Sequence, residues 1–230
     1  MVLIPGWRYR PVITTTAVQS NDQQDYAQVP ASGFFTSPSS WSVCGWVKIA
    51  VDRNTYSGVF TVESSPSTEW NEIITDVDGT TLVFFDHVTG LVLTFGVMTV
   101  GSWYFFGATV SGTALSAYFA AEGAASLTKT TGTITTCTTI GQQNILSSGF
   151  PSAEFLSGNM ALVRTWNGVN SDAEMNLELH SAVPVKTTGL VGDWRLASAA
   201  TITADSSGNG NTLLVNAGRT HVDVAGPNIS

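Results

Sequence analysis

The sequence predicts an all-β fold of two packed antiparallel sheets with one short helix, and three observations carry that expectation. Residues 103–123, WYFFGATVSGTALSAYFAAEG, alternate in the period of two that a strand imposes. Trp103, Phe105 and Thr109 line one side, Tyr104, Phe106 and Val110 the other, and both sides are largely apolar. Ser111, Gly112 and Thr113 then supply turn chemistry before Leu115, Ala117 and Phe119 resume the alternation, so the stretch reads as a hairpin. Second, hydrophobic residues make up 43% of the 230 positions, enough for a sizeable core in one all-β domain. Third, helix chemistry is well signalled at one place only, described below.

A membrane span is the competing reading of this region, because residues 88–121 contain no Asp, Glu, Lys or Arg. Length alone would let that stretch cross a bilayer. Gly, Ser and Thr interrupt it every few residues, however, and its period is two rather than 3.6. No membrane insertion is expected.

From the N-terminus, residues 1–24 read as an arm: an aromatic and basic piece, WRYRPVITTTAV, followed by the polar connector QSNDQQ. A sandwich domain over residues 25–188 follows, opening on the extended piece DYAQVP. Residues 41–51, WSVCGWVKIAV, form a strand with Trp41, Val43 and Val47 on one side and Cys44, Trp46 and Lys48 on the other. IITDVDGTTLVFF is a hairpin in which Asp78 and Gly79 suit a two-residue turn with positive φ. Its DxDG string lacks the further ligands of an EF-hand loop, which favours the turn. Further strands are expected at residues 91–97, 133–140, 159–166 and 190–196. The one helix lies near residues 171–182, where Ser171 and Glu174 have capping-box spacing ahead of AEMNLELHSA and Pro184 stops it. Residues 189–230 either complete the same sandwich or form an outer arm.

Charged residues are only 11% of the chain, and nine basic against seventeen acidic side chains leave a net charge of −8. That balance disfavours nucleic acid and anionic membranes as partners and permits a glycan or a protein. Cys44 and Cys137 form no CxxC pair and read as two buried small hydrophobes, with a disulfide as the alternative. The first residues, MVLIPGWRYRPVITTT, place Arg after a short apolar run and do not resemble a secretory signal.

Three segments, in this order, resemble the concanavalin A-like lectins and glucanases, particularly their laminin G-like branch. WSVCGWVKIAV is similar to that family's early strand, VGSWYFFGATVSGTALSAYFAAEGA to its central tryptophan strand and tight hairpin, and FLSGNMALVRTWNGVNSDAEM to its late aliphatic strand and capped helix. The resemblance covers roughly residues 25–182. It implies a concanavalin A-like β-sandwich of two curved antiparallel sheets and leaves function open, since relatives bind sugars, bind proteins or hydrolyse β-glucans.

Hydrolysis fares poorly on the residues. The glucanase relatives carry closely spaced carboxylates on one strand, and no ExDxE or ExDxxE string occurs here. In EWNEIITDVDG, Glu69 and Glu72 point to opposite faces of a regular strand. His87, His180 and His221 lack zinc-ligand spacing, and no Ser sits in a GxSxG elbow. The expectation is a non-enzymatic binding or structural protein. Trp70, in the polar stretch SSPSTEWNE, is the tryptophan expected to be exposed and, with Asp76 and Asp78, forms the candidate glycan site. No cofactor is required. Asp205, Asn209 and Asn211 of DSSGNGN, a turn resembling one found with laminin G-like domains, offer oxygen ligands for calcium, against the plainer reading of a Gly- and Asn-rich turn. The sparsely charged, Ser- and Thr-rich composition and the lack of a signal peptide suit a virus-particle surface component, such as a bacteriophage capsid decoration, head-fibre or tail protein, made in a host cytoplasm. Virion proteins or further copies would be held through residues 1–24 and 189–230; a free extracellular lectin is the alternative.

Overall fold

The computed structural model describes residues 13–19, 27–52, 55–64, 68–145, 147–148, 154–198, 200–215 and 222–229. In chain order the strands are β1 (Ile13–Gln19), β2 (Ala27–Gln28), β3 (Ser40–Ile49), β4 (Ser57–Glu63), β5 (Trp70–Thr75), β6 (Thr81–Asp86), β7 (Leu91–Val97), β8 (Tyr104–Ser111) and β9 (Ala114–Ala121). They continue as β10 (Thr128–Thr133), β11 (Gln142–Ile145), β12 (Ser147–Ser148), β13 (Glu154–Phe155), β14 (Gly158–Asn167), β15 (Leu190–Trp194), β16 (Leu214–Val215) and β17 (Val222–Ile229). The helix α1 is Asp172–Glu178.

The first sheet runs β10-β9-β8-β3-β14-β1-β17, with β15 also against β14; the second runs β16-β2-β11-β4-β5-β6-β7. The pairings are antiparallel in both, giving the two stacked sheets that the resemblance implies. Part of the segment read as an N-terminal arm is thus a strand, β1, between β14 and β17. Residues 189–230 contribute β15 and β17 to the first sheet and β16 to the second. Residues 1–12, 20–24 and His221 lie outside the described residues.

Alternation along β3 sets the layers. Trp41, Val43, Val47 and Ile49 enter the core between the sheets and meet Phe60, Ile73, Leu82 and Phe84 of the second sheet. Phe35 stacks on Trp41 with ring centroids 5.2 Å apart and planes within 6°. Each such side chain taken from water contributes about 1.5–3 kcal/mol. The other face of the first sheet is also covered: Cys44, Trp46, Phe105, Tyr118 and Trp166 pack with Met175 and Leu179, on and just beyond α1. The capping box forms as expected, with Ser171 accepting from the Glu174 N–H and Glu174 accepting from the Ser171 N–H at 2.7 Å. Both faces of the β8–β9 hairpin are therefore buried, and its two-residue turn opens at Gly112 with φ of +61°, the glycine-first pattern of a type II′ turn.

β14 carries a bulge between Ala161 and Arg164, with Leu162 at φ +53°. The extra residue lets Val163 return to the inter-sheet core while Arg164 points to the helix side. There Arg164, 1% exposed, donates to Glu178 at 2.5 Å, to Asp193 at 3.2 Å and to the Ser181 carbonyl at 3.0 Å. Burial pushes the Glu178 carboxyl above its ordinary value even with Arg164 against it.

Two expectations are corrected. Residues 133–140 are mostly a loop, because their backbone groups bond side chains instead of a neighbouring strand; the strand lies earlier, at β10. The Thr135 N–H donates to Asp86 at 2.7 Å and the Thr138 N–H to Glu69 at 2.7 Å. The β5–β6 connection is longer than two residues: the Asp76 N–H donates to the Thr81 carbonyl at 2.7 Å, closing a loop in which Gly79, not Asp78, takes positive φ. Cys44 and Cys137 are free and buried.

Candidate functional site

Unlike the first sheet, the second has an outer face that mixes carboxylates, aromatics and aliphatic side chains. Ile73 of β5 and Leu82 and Phe84 of β6 face the core, so Trp70, Glu72 and Ile74, with Val83 and Phe85, face outward. Register places Glu72 beside Phe85, Phe85 beside Val92, and Ile74 beside Val83. On β4 and β11 the outward residues Thr61, Glu63 and Asn144 are buried. β4 already pairs β11 and β5 on its two edges and faces the core on its inner side, so β12 and β13, which lie against β4, sit over this polar end.

Beyond that cover a cavity of about 170 Å³ opens, lined by Tyr56, Glu72, Ile74, Asp76, Val83, Phe85 and Val92. It is smaller than the ~300–1,000 Å³ of drug-sized pockets, a scale suited to a single ring. Its walls are apolar and its polar groups are carboxylates and one phenol, so it offers acceptors beside a surface on which a ring can stack.

The residues expected to bind glycan fall along this face but not at one point. Trp70 opens β5, is half-buried, and stacks on the exposed His87 with ring centroids 3.4 Å apart and planes within 18°. Asp76 follows the same strand at its other end, about 20 Å away by strand rise, and lines the cavity. Asp78 lies in the hairpin loop, where its carboxylate accepts from the Thr80 and Thr81 N–H groups and from the Thr81 hydroxyl at 2.5 Å. Burial opposes its charged form, but these bonds outweigh it and hold the carboxyl below its ordinary value. Sequence reasoning missed Tyr56, Ile74, Val83, Phe85 and Val92; the outward alternation of β5 and β6 was the available signal.

Asp205, Asn209 and Asn211 are brought together in a loop stitched to β15. Asp205 accepts from the Asp193, Ser207 and Asn211 N–H groups and from the Ser207 hydroxyl. Asn209 and Asn211 donate to the Val191 carbonyl, and Asn211 accepts from the Ser32 hydroxyl at 2.9 Å. Burial opposes the charged form of Asp205, yet this set of donors holds its carboxyl below the ordinary value. Among the described residues no group of three or more His, Cys, Asp or Glu has metal-binding geometry, and no helix is long and apolar enough to cross a membrane.

The Laminin_G_3 family model, described as concanavalin A-like lectin/glucanases superfamily, matches residues 21–176. Comparison with curated proteins gave no match. Among solved structures, a Bacteroides ovatus protein assigned to carbohydrate binding aligns over 96% of this chain and 63% of its own, at 15% identity and a TM-score of 0.66. This chain thus spans less than two thirds of that protein. The heptameric SAP-like pentraxin of Limulus polyphemus aligns over 93% of this chain and 95% of its own, at 15% identity and a TM-score of 0.60. Tailspike protein 2 of an Escherichia coli O157:H7 bacteriophage aligns over 84% of this chain and 31% of its own, at 13% identity and a TM-score of 0.56. At these identities the likeness is one of fold.

Proposed function

The chain belongs to the concanavalin A-like lectin/glucanase superfamily, and we propose that it is a non-enzymatic carbohydrate-binding protein whose glycan lies on the outer face of the second sheet. The observation that carries this reading is the cavity joining Phe85 and Tyr56 to the carboxylates Glu72 and Asp76. A sugar ring stacks its C–H face on an aromatic wall and donates its hydroxyls to carboxylates, and the Trp70–His87 stack extends the same strand face for a longer chain. The non-enzymatic part rests on spacing. Glu72 on β5 and Asp76 just past its end have backbones about 13 Å apart by strand rise, wider than the two- or three-residue spacing at which the glucanase relatives set their catalytic carboxylates on one strand. Glu63 is buried and does not line the cavity.

A glycan array probed with the intact protein, with and without calcium, tests the binding reading: retention on defined glycans is expected, and no retention in either condition overturns it. Calcium at Asp205, Asn209 and Asn211 belongs to the same proposal and requires a rise in melting temperature on adding calcium that Asp205→Asn abolishes. Reducing ends released from β-glucans by the native protein but not by Glu72→Gln would overturn the non-enzymatic reading.

The finer reading is a virus-particle surface component, supported by the fold likeness to a phage tailspike protein and by the low charge content. Because β1 and β17 are strands of the first sheet, deleting residues 1–24 would remove part of the sandwich. Deleting residues 1–12 spares β1. Loss of the protein from assembled particles, with the sandwich still folded, is the expected outcome, and undiminished incorporation argues against this attachment.

A further inference from the structure

We infer that β1 and β17 form a strap that opens and closes as one unit over the tryptophan end of the first sheet, while the rest of the sandwich stays folded. Connectivity makes the two strands one body. β1 leads into β2 and β16 leads into β17, and in the second sheet β2 and β16 pair with each other, Gln28 beside Leu214 and Ala27 beside Val215. The β1–β17 pair is therefore the far half of a two-stranded ribbon whose near half belongs to the second sheet. Lifting the far half leaves the pairs inside it intact.

Few bonds hold the strap to the first sheet. Six register positions join β1 to β17, from Ile13 beside Ile229 to Gln19 beside Val222. Only two join β1 to β14, Val18 beside Met160 and Gln19 beside Asn159, whereas β3 meets the other edge of β14 at eight. Past the bulge at Leu162 the edge of β14 that β1 occupies passes to β15. On the outer face of the sheet the Trp103 indole N–H donates to the Ala225 carbonyl at 3.2 Å, the Asn228 N–H donates to the Glu122 carboxylate, and Ile229 is buried in the cluster around Trp103. One group works against closure. Asn159, 2% exposed at the foot of the strap, has a side-chain amide nitrogen with no hydrogen-bond partner among the described residues, and opening returns it to water. The strap's own ladder is interrupted between Thr14 and Thr16, opposite Gly226 and Pro227, where proline has no N–H to give. The other cover of this face, α1, is held by Met175, by Leu179 just past its end, and by Arg164 bound to Glu178 and Asp193. Much less must break to lift the strap than to lift the helix.

Hydrogen exchange of the full chain, read by mass spectrometry at neutral pH without denaturant, tests the strap. Amides of β1 and β17 should exchange together, and at least ~100-fold faster than those of β3, β8 and β14. Trp103→Phe keeps an aromatic ring and removes the indole donor to Ala225. It should speed exchange in both strap strands about two- to tenfold and leave β3 and β14 unchanged. Protection of β1 and β17 that lasts as long as that of β3 and β14 would overturn the strap, as would different exchange rates in β1 and β17. Equal acceleration of all the strands in Trp103→Phe would overturn it too, since closure would then be part of global folding.

Discussion

The two sheets obey the same alternation and spend their second faces differently. The first buries both faces, one against its partner sheet and one beneath α1, with Trp46 and Phe105 meeting edge to face at 82°. The second buries one face in the core, and its other face sets buried Glu72, Ile74 and Val83 beside Phe85, Asp76 and the cavity between them. Charge follows the same division, with the described Lys and Arg on the side of the first sheet and a run of carboxylates along the second. The difference separates stability from recognition: changes on the helix side should unfold the chain, and changes on the outer face of the second sheet should alter what it holds.

Arg164→Met is the largest expected breach of that division. It leaves Glu178 and Asp193 buried without their cation and should cost about 3–5 kcal/mol in urea unfolding. A loss below about 1 kcal/mol would mean that the buried ion group does not hold α1 to the sheet. Met175→Ala, which empties a buried site under the same face, should cost ~2–5 kcal/mol, with glycan retention of the folded fraction unchanged.

Asp205→Asn tests the loop that joins the sheets. Its carboxylate accepts several N–H groups that an amide cannot all serve, so a loss of ~1–3 kcal/mol at neutral pH is expected. The folded carboxyl titrates below its ordinary value. Its stabilisation is therefore complete above about pH 4 and lost as the pH falls through the lower folded value. Native and variant stabilities should converge in acid, and a constant gap would remove the charge from the account. Smallest in stability is Trp70→Ala, within about 1.5 kcal/mol for the lost stack; retention on a glycan surface should fall, and unchanged retention removes Trp70 from the site.

Much of the first sheet was legible because its evidence is local. β3, the β8–β9 hairpin and β14 are long apolar runs, and the capping box marks its helix within four residues. The second sheet was harder. Residues 133–140 have the Thr- and Ile-rich composition of a strand, but Asp86, Asn71 and Glu69, distant in sequence, take up backbone donors there. Trp70 reads from sequence as an exposed residue of a polar loop, whereas it opens β5 half-buried against His87. That Tyr56, Phe85 and Val92 join Glu72 and Asp76 depends on register across four strands, shifted by irregularities between Gly58 and Phe60 and between Leu82 and Val83. No single stretch of sequence encodes that juxtaposition.

The two cysteines give each half of the molecule its own clock. Cys44 lies under α1 in the first sheet, and burial holds its thiol well above the ordinary value. Cys137 lies against β4 and β5, within sulfur hydrogen-bonding distance of the Val62 and Glu69 carbonyls, and burial, with Glu69 nearby, pushes its thiol up to about 12. A thiolate reagent reaches neither until its cover lifts. Labelling of Cys44 therefore times the release of the helix, and labelling of Cys137 times the opening of the second sheet where β4 meets the start of β5. In one unmodified chain, the order in which the two thiols react reports which layer of the sandwich lets go first.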